Sequence, residues 1–185
     1  MTRAMDPVSM AIEHMLLVRS LAEKAAAKCG IDEKDKGSAI QRRAKDLPGM
    51  VYTVGLVPAL TFYMSKVENS QLYARIYELL RSGDEGRVDI IVEEVFREER
   101  EKGKDNSLCR EMSGKEAAGY TTLLAMAAAT LAEAGILRGD PSSLQSLAAS
   151  LKKLRDEGGE SYAARLLAEY LGEAKKLAEA FFAKE

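Results

Sequence analysis

Ile40, Ala44, Leu47, Val51 and Val54 recur at spacings of four, three, four and three. That interval returns to one side of an α-helix at every turn, so the stretch reads as a single buried helical stripe. Helix-forming character extends along the chain. Ala, Leu, Glu, Lys and Arg recur, Trp is absent, and Pro occurs 4 times in 185 residues. Those five residues lose little side-chain freedom in a helix. No segment reads as a convincing strand, and no fixed-period repeat or low-complexity tract appears. An all-α fold is expected, a compact bundle of about six to eight helices. With 46% apolar and 30% charged residues, the chain has the composition of a soluble globular domain with a real core.

Turn-forming residues divide the chain. Asp6 and Pro7 open a first helix running to about Lys28, with Ile12, Leu16, Ala22 and Ala26 among its apolar positions. Asp32 is expected to cap a second helix over residues 33–54, kinked at Pro48 and ended by Gly55. Further helices are expected over residues 57–66, 70–81 and 87–102, with residues 102–107 as a loop. Ser113 and Glu116 have the spacing of a capping box for an Ala-rich helix reaching Ala134. Asp140 and Pro141 open another, to about Glu157, and Gly158 and Gly159 separate it from a last helix ending near Phe182.

Residues 1–66 carry ten Lys and Arg against seven Asp and Glu, whereas residues 67–111 carry eight against twelve. The net charge of −2 therefore covers a mildly basic first third and an acidic middle. His14 is the only histidine, and no Ser or Cys can be placed beside it, so it reads as a structural or surface residue. The acidic run at residues 93–102 lacks the Glu-x-x-His pairs of a di-iron site. Pairs such as Glu93 with Arg97 explain it as a solvated helix face. DEKDKG, residues 32–37, places Lys34 and Lys36 where a calcium loop needs oxygen ligands. RSGDEG, residues 81–86, lacks the spacing of a phosphate-binding loop. Cys29 and Cys109 have no metal-ligand spacing and read as buried or free thiols, with a disulfide between them as the lesser alternative. No catalytic set, metal site or cofactor site is left. No apolar run reaches the roughly 18 residues of a membrane span, and no signal pattern opens the chain, so a cytoplasmic protein without a membrane partner is expected.

Opposite the apolar stripe, Arg42, Lys45 and Tyr52 share a surface, with Arg43 at its flank and Gly49 between the cations and the tyrosine. Such a surface suits a phosphate backbone with a base or sugar near the ring. The alternative is a basic face kept for solubility.

The surrounding block AKDLPGMVYTVGLVPALTFYMSK, residues 44–66, resembles the small helical subunit of the type III-B CRISPR effector, the Cmr complex. Lys45-x-Leu47-Pro48, then Gly55-Leu56 and Ala59-Leu60-x-Phe62, carry the resemblance. AIEHMLLVRSLAEKAA (residues 11–26) and CREMSGKEAAGYTTLLAMAAATLAEA (residues 109–134) add to it. It covers pieces of roughly residues 8–138, and residues 139–185 have no counterpart.

The resemblance implies a helical bundle over residues 1–138, with residues 139–185 as a C-terminal helical extension packed on it. It also implies a non-catalytic structural subunit. Copies would stack in a filament beside other Cmr subunits and help to hold guide RNA and target RNA, with cleavage left to another subunit. Lys36, Arg42, Arg43 and Lys45 would then contact phosphates and Tyr52 would stack, while guide pairing supplies specificity. Two readings stand against it. One is the small subunit of the related type III-A complex. The other is a helical adaptor outside CRISPR, docking through Tyr162, Leu166, Leu167, Tyr170, Leu171, Leu177 and Phe181.

Overall fold

The Asp6 carboxylate accepts hydrogen bonds from the Val8 N–H (3.1 Å) and the Ser9 hydroxyl (2.6 Å). With Pro7 in the first turn, they start α1 (Pro7–Cys29), which ends at Gly30 in the left-handed conformation. The computed structural model describes residues 6–182, and of Lys104 the backbone alone. α1 buries Ala11, Met15, Val18, Ala22 and Ala25, whereas Ile12 and Leu16, expected among its apolar positions, lie on its open side.

The second helix starts five residues later than expected. Asp35 and Lys36 donate N–H bonds to the Asp32 carbonyl and make turns instead. Gly37 then takes a φ of 69° and donates to the Met112 carbonyl at 2.8 Å. The ring of Phe182 fills the space where a side chain at position 37 would begin. α2 (Ser38–Val54) continues through Pro48, burying Ile40, Ala44, Leu47 and Val51. Val54, at its end, is exposed and leaves the predicted stripe. α3 (Leu56–Ser65) follows after Gly55, and its Val57 N–H donates to the distant Glu160 carboxylate at 2.9 Å.

α4 (Ser70–Ser82) is capped by Asn69. α5 (Gly86–Glu98) stops short of the expected Lys102 and gives way to a 3-10 stretch, Arg100–Asp105, broken at Gly103. α1 and α5 run parallel. Ser20 donates to Glu85 at 3.2 Å, Lys24 pairs with Asp89 at 2.7 Å and Lys28 with Glu93 at 2.8 Å, always 65 residues apart. Glu93 thus pairs across helices with Lys28, where a pairing with Arg97 was expected.

A five-residue helix absent from the sequence expectation, α6 (Ser107–Glu111), comes next. It brings Cys109 to Cys29, with Cα atoms 5.7 Å apart, and the two form a disulfide. The outcome is the lesser alternative of the sequence reading, in place of two thiols: the partners are 80 residues apart and meet only through the fold. Closing a loop of that size stabilises by roughly 4.5 kcal/mol in the chain-entropy account.

α7 (Tyr120–Glu133) is the central helix. Every residue from Thr121 to Leu131 is buried, so that stretch has no solvent face. α1, α2, α3, α4 and α9 all pack against it. α8 (Leu144–Asp156) starts at a reciprocal Ser143–Ser146 capping box, past the expected Asp140–Pro141 start. α9 (Glu160–Phe181) lies between α1 and α2 and buries Ala163, Leu167, Tyr170, Leu171, Ala174 and Ala178. Leu167, Tyr170 and Leu171, candidates for an adaptor surface, therefore close the bundle. The described residues form nine α-helices, an all-α architecture slightly above the six to eight expected.

Candidate nucleic-acid interface

The helical period of α2 sorts four of the five candidate residues into different environments. Arg43 lies one residue before Ala44 and four before Leu47, on the edge of the buried stripe, and is 7% exposed. Its Nε donates to the Ala118 carbonyl at 3.2 Å and one Nη to the Asp46 carboxylate at 3.1 Å. The other Nη donates to the Glu116 carbonyl, and the guanidinium sits 4.1 Å over the Tyr120 ring. Arg43 is therefore an internal clamp between α2 and residues 116–120, and no longer flanks the outward basic surface.

Lys45 and Tyr52 face outward. The Lys45 side chain is 52% exposed, with the nearest carboxylate, Glu179, 3.8 Å away. Tyr52 is 93% exposed. Arg42 is intermediate: one Nη donates to the Gly114 carbonyl at 3.4 Å, and the other is buried without a partner among the described residues. Lys36 sits in the turn before α2, mostly covered and paired with Glu33 at 2.8 Å.

Arg42 leads to cations that the sequence reading passed over. Lys115, next in sequence to Gly114, joins Lys66 and Arg110 in lining a cleft of about 50 Å3, together with Glu68, Asn69 and Ser107. Arg110 pairs with Glu68 at 3.0 Å, but its Nε is buried without a partner among the described residues. Lys115 reaches the exposed Asp105 at 3.3 Å, and Lys66 lies 5.2 Å over the Phe62 ring. Lys66 closes the block that carries the family resemblance, which was the available signal. Arg110 and Lys115 stand in a stretch read for its capping pattern.

Glu111, also lining this cleft, fixes its wall. Its carboxylate accepts the Gly119 N–H at 3.1 Å, the Thr122 N–H at 2.8 Å and the Thr122 hydroxyl at 2.9 Å. Those groups belong to the start of α7, so Glu111 performs the capping expected of Ser113 and Glu116. Ser113 instead donates to the Arg110 carbonyl, and Glu116 is exposed. Burial pushes the Glu111 carboxyl up from its usual range, and the donors from Thr122 and Gly119 hold back part of that rise.

His14 takes no part in this surface. It is buried on α1 with Nδ1 2.7 Å from the Tyr170 hydroxyl. Burial, with a smaller contribution from Arg81, lowers its pKa to about 4. Among the described residues no three or more His, Cys, Asp or Glu are grouped to hold a metal ion, and no helix is long and apolar enough to cross a membrane.

Comparison with curated proteins and with solved structures finds no match. Residues 18–138 match the family described as CRISPR-associated protein (Cas_Cmr5). That span contains all of α2, the Arg43 clamp and the Lys66–Arg110–Lys115 cleft. The match covers more than half of the chain, which therefore belongs to the Cas_Cmr5 family of CRISPR-associated proteins, the type III-B subunit that its Lys45–Pro48 block resembles.

Proposed function

We propose that the protein is a non-catalytic structural subunit of a type III-B effector, stacked with copies of itself along the complex, and that it holds guide and target RNA by their backbones. The observation that carries this reading is the family match over the residues that bear both basic clusters. Lys45 and Tyr52 supply an open cation and an open ring on one helix face, and Arg42 bonds the carbonyl of Gly114, the neighbour in the chain of the cleft residue Lys115. Lys36 joins this set only by releasing Glu33. Arg43 supports the surface from inside by holding residues 116–118 against α2. Phosphate contacts of this kind position a strand without reading it.

Titration of the full chain with single-stranded RNA at several salt concentrations tests the assignment. Binding is expected to be weak and to fall as salt rises. Lys45→Ala and Arg42→Ala should each flatten the log–log salt slope by roughly 0.7, the value per phosphate contact on a single strand. Tyr52→Ala should weaken binding about tenfold with the slope kept, as loss of a stacked base does. Unchanged affinity and slope in all three variants would remove these residues from the interface.

A further inference from the structure

α1 has a second apolar side. Val8, Ile12 and Leu16 follow one another at four-residue spacing and are 39%, 42% and 50% exposed. Single exposed apolar residues are ordinary, but side chains four apart on a helix lie one above the other and form a ridge. Leu16 continues this ridge into a groove of about 440 Å3 between α1 and the turn at Gly83, with Leu17 and Ser20 in its wall.

The charges around the groove are mostly negative. Glu13, Glu23 and Glu85 line it against the single cation Arg19. Arg19 donates to Glu23 at 3.1 Å and lies 5.1 Å over the Phe181 ring, so that pair is self-contained. Glu85 has the uncharged Ser20 hydroxyl as its partner, and no described cation pairs with Glu13. Nearby cations are already engaged, Lys24 by Asp89 at 2.7 Å and Arg81 by Glu133 at 2.8 Å.

We propose that this face docks an amphipathic helix of another protein subunit, apolar along one side and flanked by Lys or Arg. The ridge and groove suit a second helix laid alongside α1, its side chains interdigitating with Val8, Ile12 and Leu16 at an axial separation of roughly 8–10 Å. The carboxylates of Glu13 and Glu85 select cationic flanks and repel phosphate, so the groove takes protein and rejects RNA. No residue of this face belongs to the RNA surface on α2 or to the Lys66–Arg110–Lys115 cleft, and the two assignments stand or fall separately.

The test uses the full chain co-expressed with the other subunits of its effector, carrying a photoreactive benzophenone side chain at position 12. Mass spectrometry is expected to find the cross-link on a helical, Lys/Arg-flanked peptide of a different subunit. Ile12→Ser with Leu16→Ser should lower the amount of this chain in the purified complex at least tenfold. Glu13→Lys with Glu85→Lys should do the same without touching the apolar ridge. In the isolated chain both double variants should keep the melting temperature within a few degrees, and Ile12→Ser with Leu16→Ser should leave single-stranded RNA binding unchanged. A cross-link to a second copy of this chain, a cross-link to RNA, no cross-link, or undiminished assembly by both double variants would overturn the proposal.

Discussion

The imidazole of His14 meets the phenol of Tyr170 inside the contact between α1 and α9, where burial holds its pKa down to about 4. An unfolded chain returns it to about 6.5, so between these values the unfolded state binds a proton that the folded state does not. Stability from this residue is intact above the upper value and falls as the pH drops towards the lower one. The loss between pH 7 and pH 5 should be roughly 2 kcal/mol. Urea unfolding of wild type and His14→Gln at stepped pH measures it, and the expected result is a shallower acid loss in the variant. The comparison also separates His14 from Glu111, whose raised carboxyl works in the opposite direction. Equal profiles would show that His14 binds its proton equally in the folded and unfolded states. The lone histidine was legible as a structural or surface residue, and it is buried; its partner stands 156 residues away, beyond any local pattern.

Helix ends set by neighbouring residues were readable, and those set by distant groups were not. Asp6 and Gly30 bound α1, and Asn69 opens α4, all through contacts within a few residues. α7 is different. Its buried first turn cannot turn to water, so a carboxylate from α6 satisfies it, and the local Ser113–Glu116 signature goes unused. α6 itself, at five residues, is too short for an apolar period to mark. The candidate surface divides in the same way. The spacing on α2 found the outward Lys45 and Tyr52, while Arg43 sits at the stripe's edge, where its side depends on residues 116–118. Arg43→Ala should destabilise by about 3 kcal/mol because it removes charged hydrogen bonds to the buried Ala118 carbonyl and to the Glu116 carbonyl. Arg43→Lys should recover only part of this, since an ammonium cannot reproduce the fork. Lys45→Ala should stay within about 0.5 kcal/mol of wild type. Denaturant midpoints at neutral pH decide the matter, and an Arg43→Ala midpoint equal to that of Lys45→Ala would refute the clamp.

Across the whole molecule, helix class followed from composition and period, but the pairing of helices did not. The basic first third and the acidic middle find each other at the parallel contact of α1 with α5, where Lys24 and Lys28 meet Asp89 and Glu93. Much of the regional charge difference is thus spent between two helices. Each exposed pair contributes little, up to about 1 kcal/mol, yet their repetition every four residues admits one register. The Cys29–Cys109 bond encloses α2, α3, α4, α5 and the Arg100–Asp105 stretch in one covalent ring. Cleavage after Arg100 or Lys102 opens that ring without dividing the molecule. Limited trypsin treatment should therefore leave one full-mass band on a non-reducing gel and two fragments, near 100 and 85 residues by the position of the cut, once a thiol reductant is added. Two fragments without reductant would show that the bond is not formed. A chain nicked there keeps the basic face of α2 and the cations beyond residue 109 on a single tethered body, so a proteolytic cut that would sever an ordinary bundle leaves this one chemically whole.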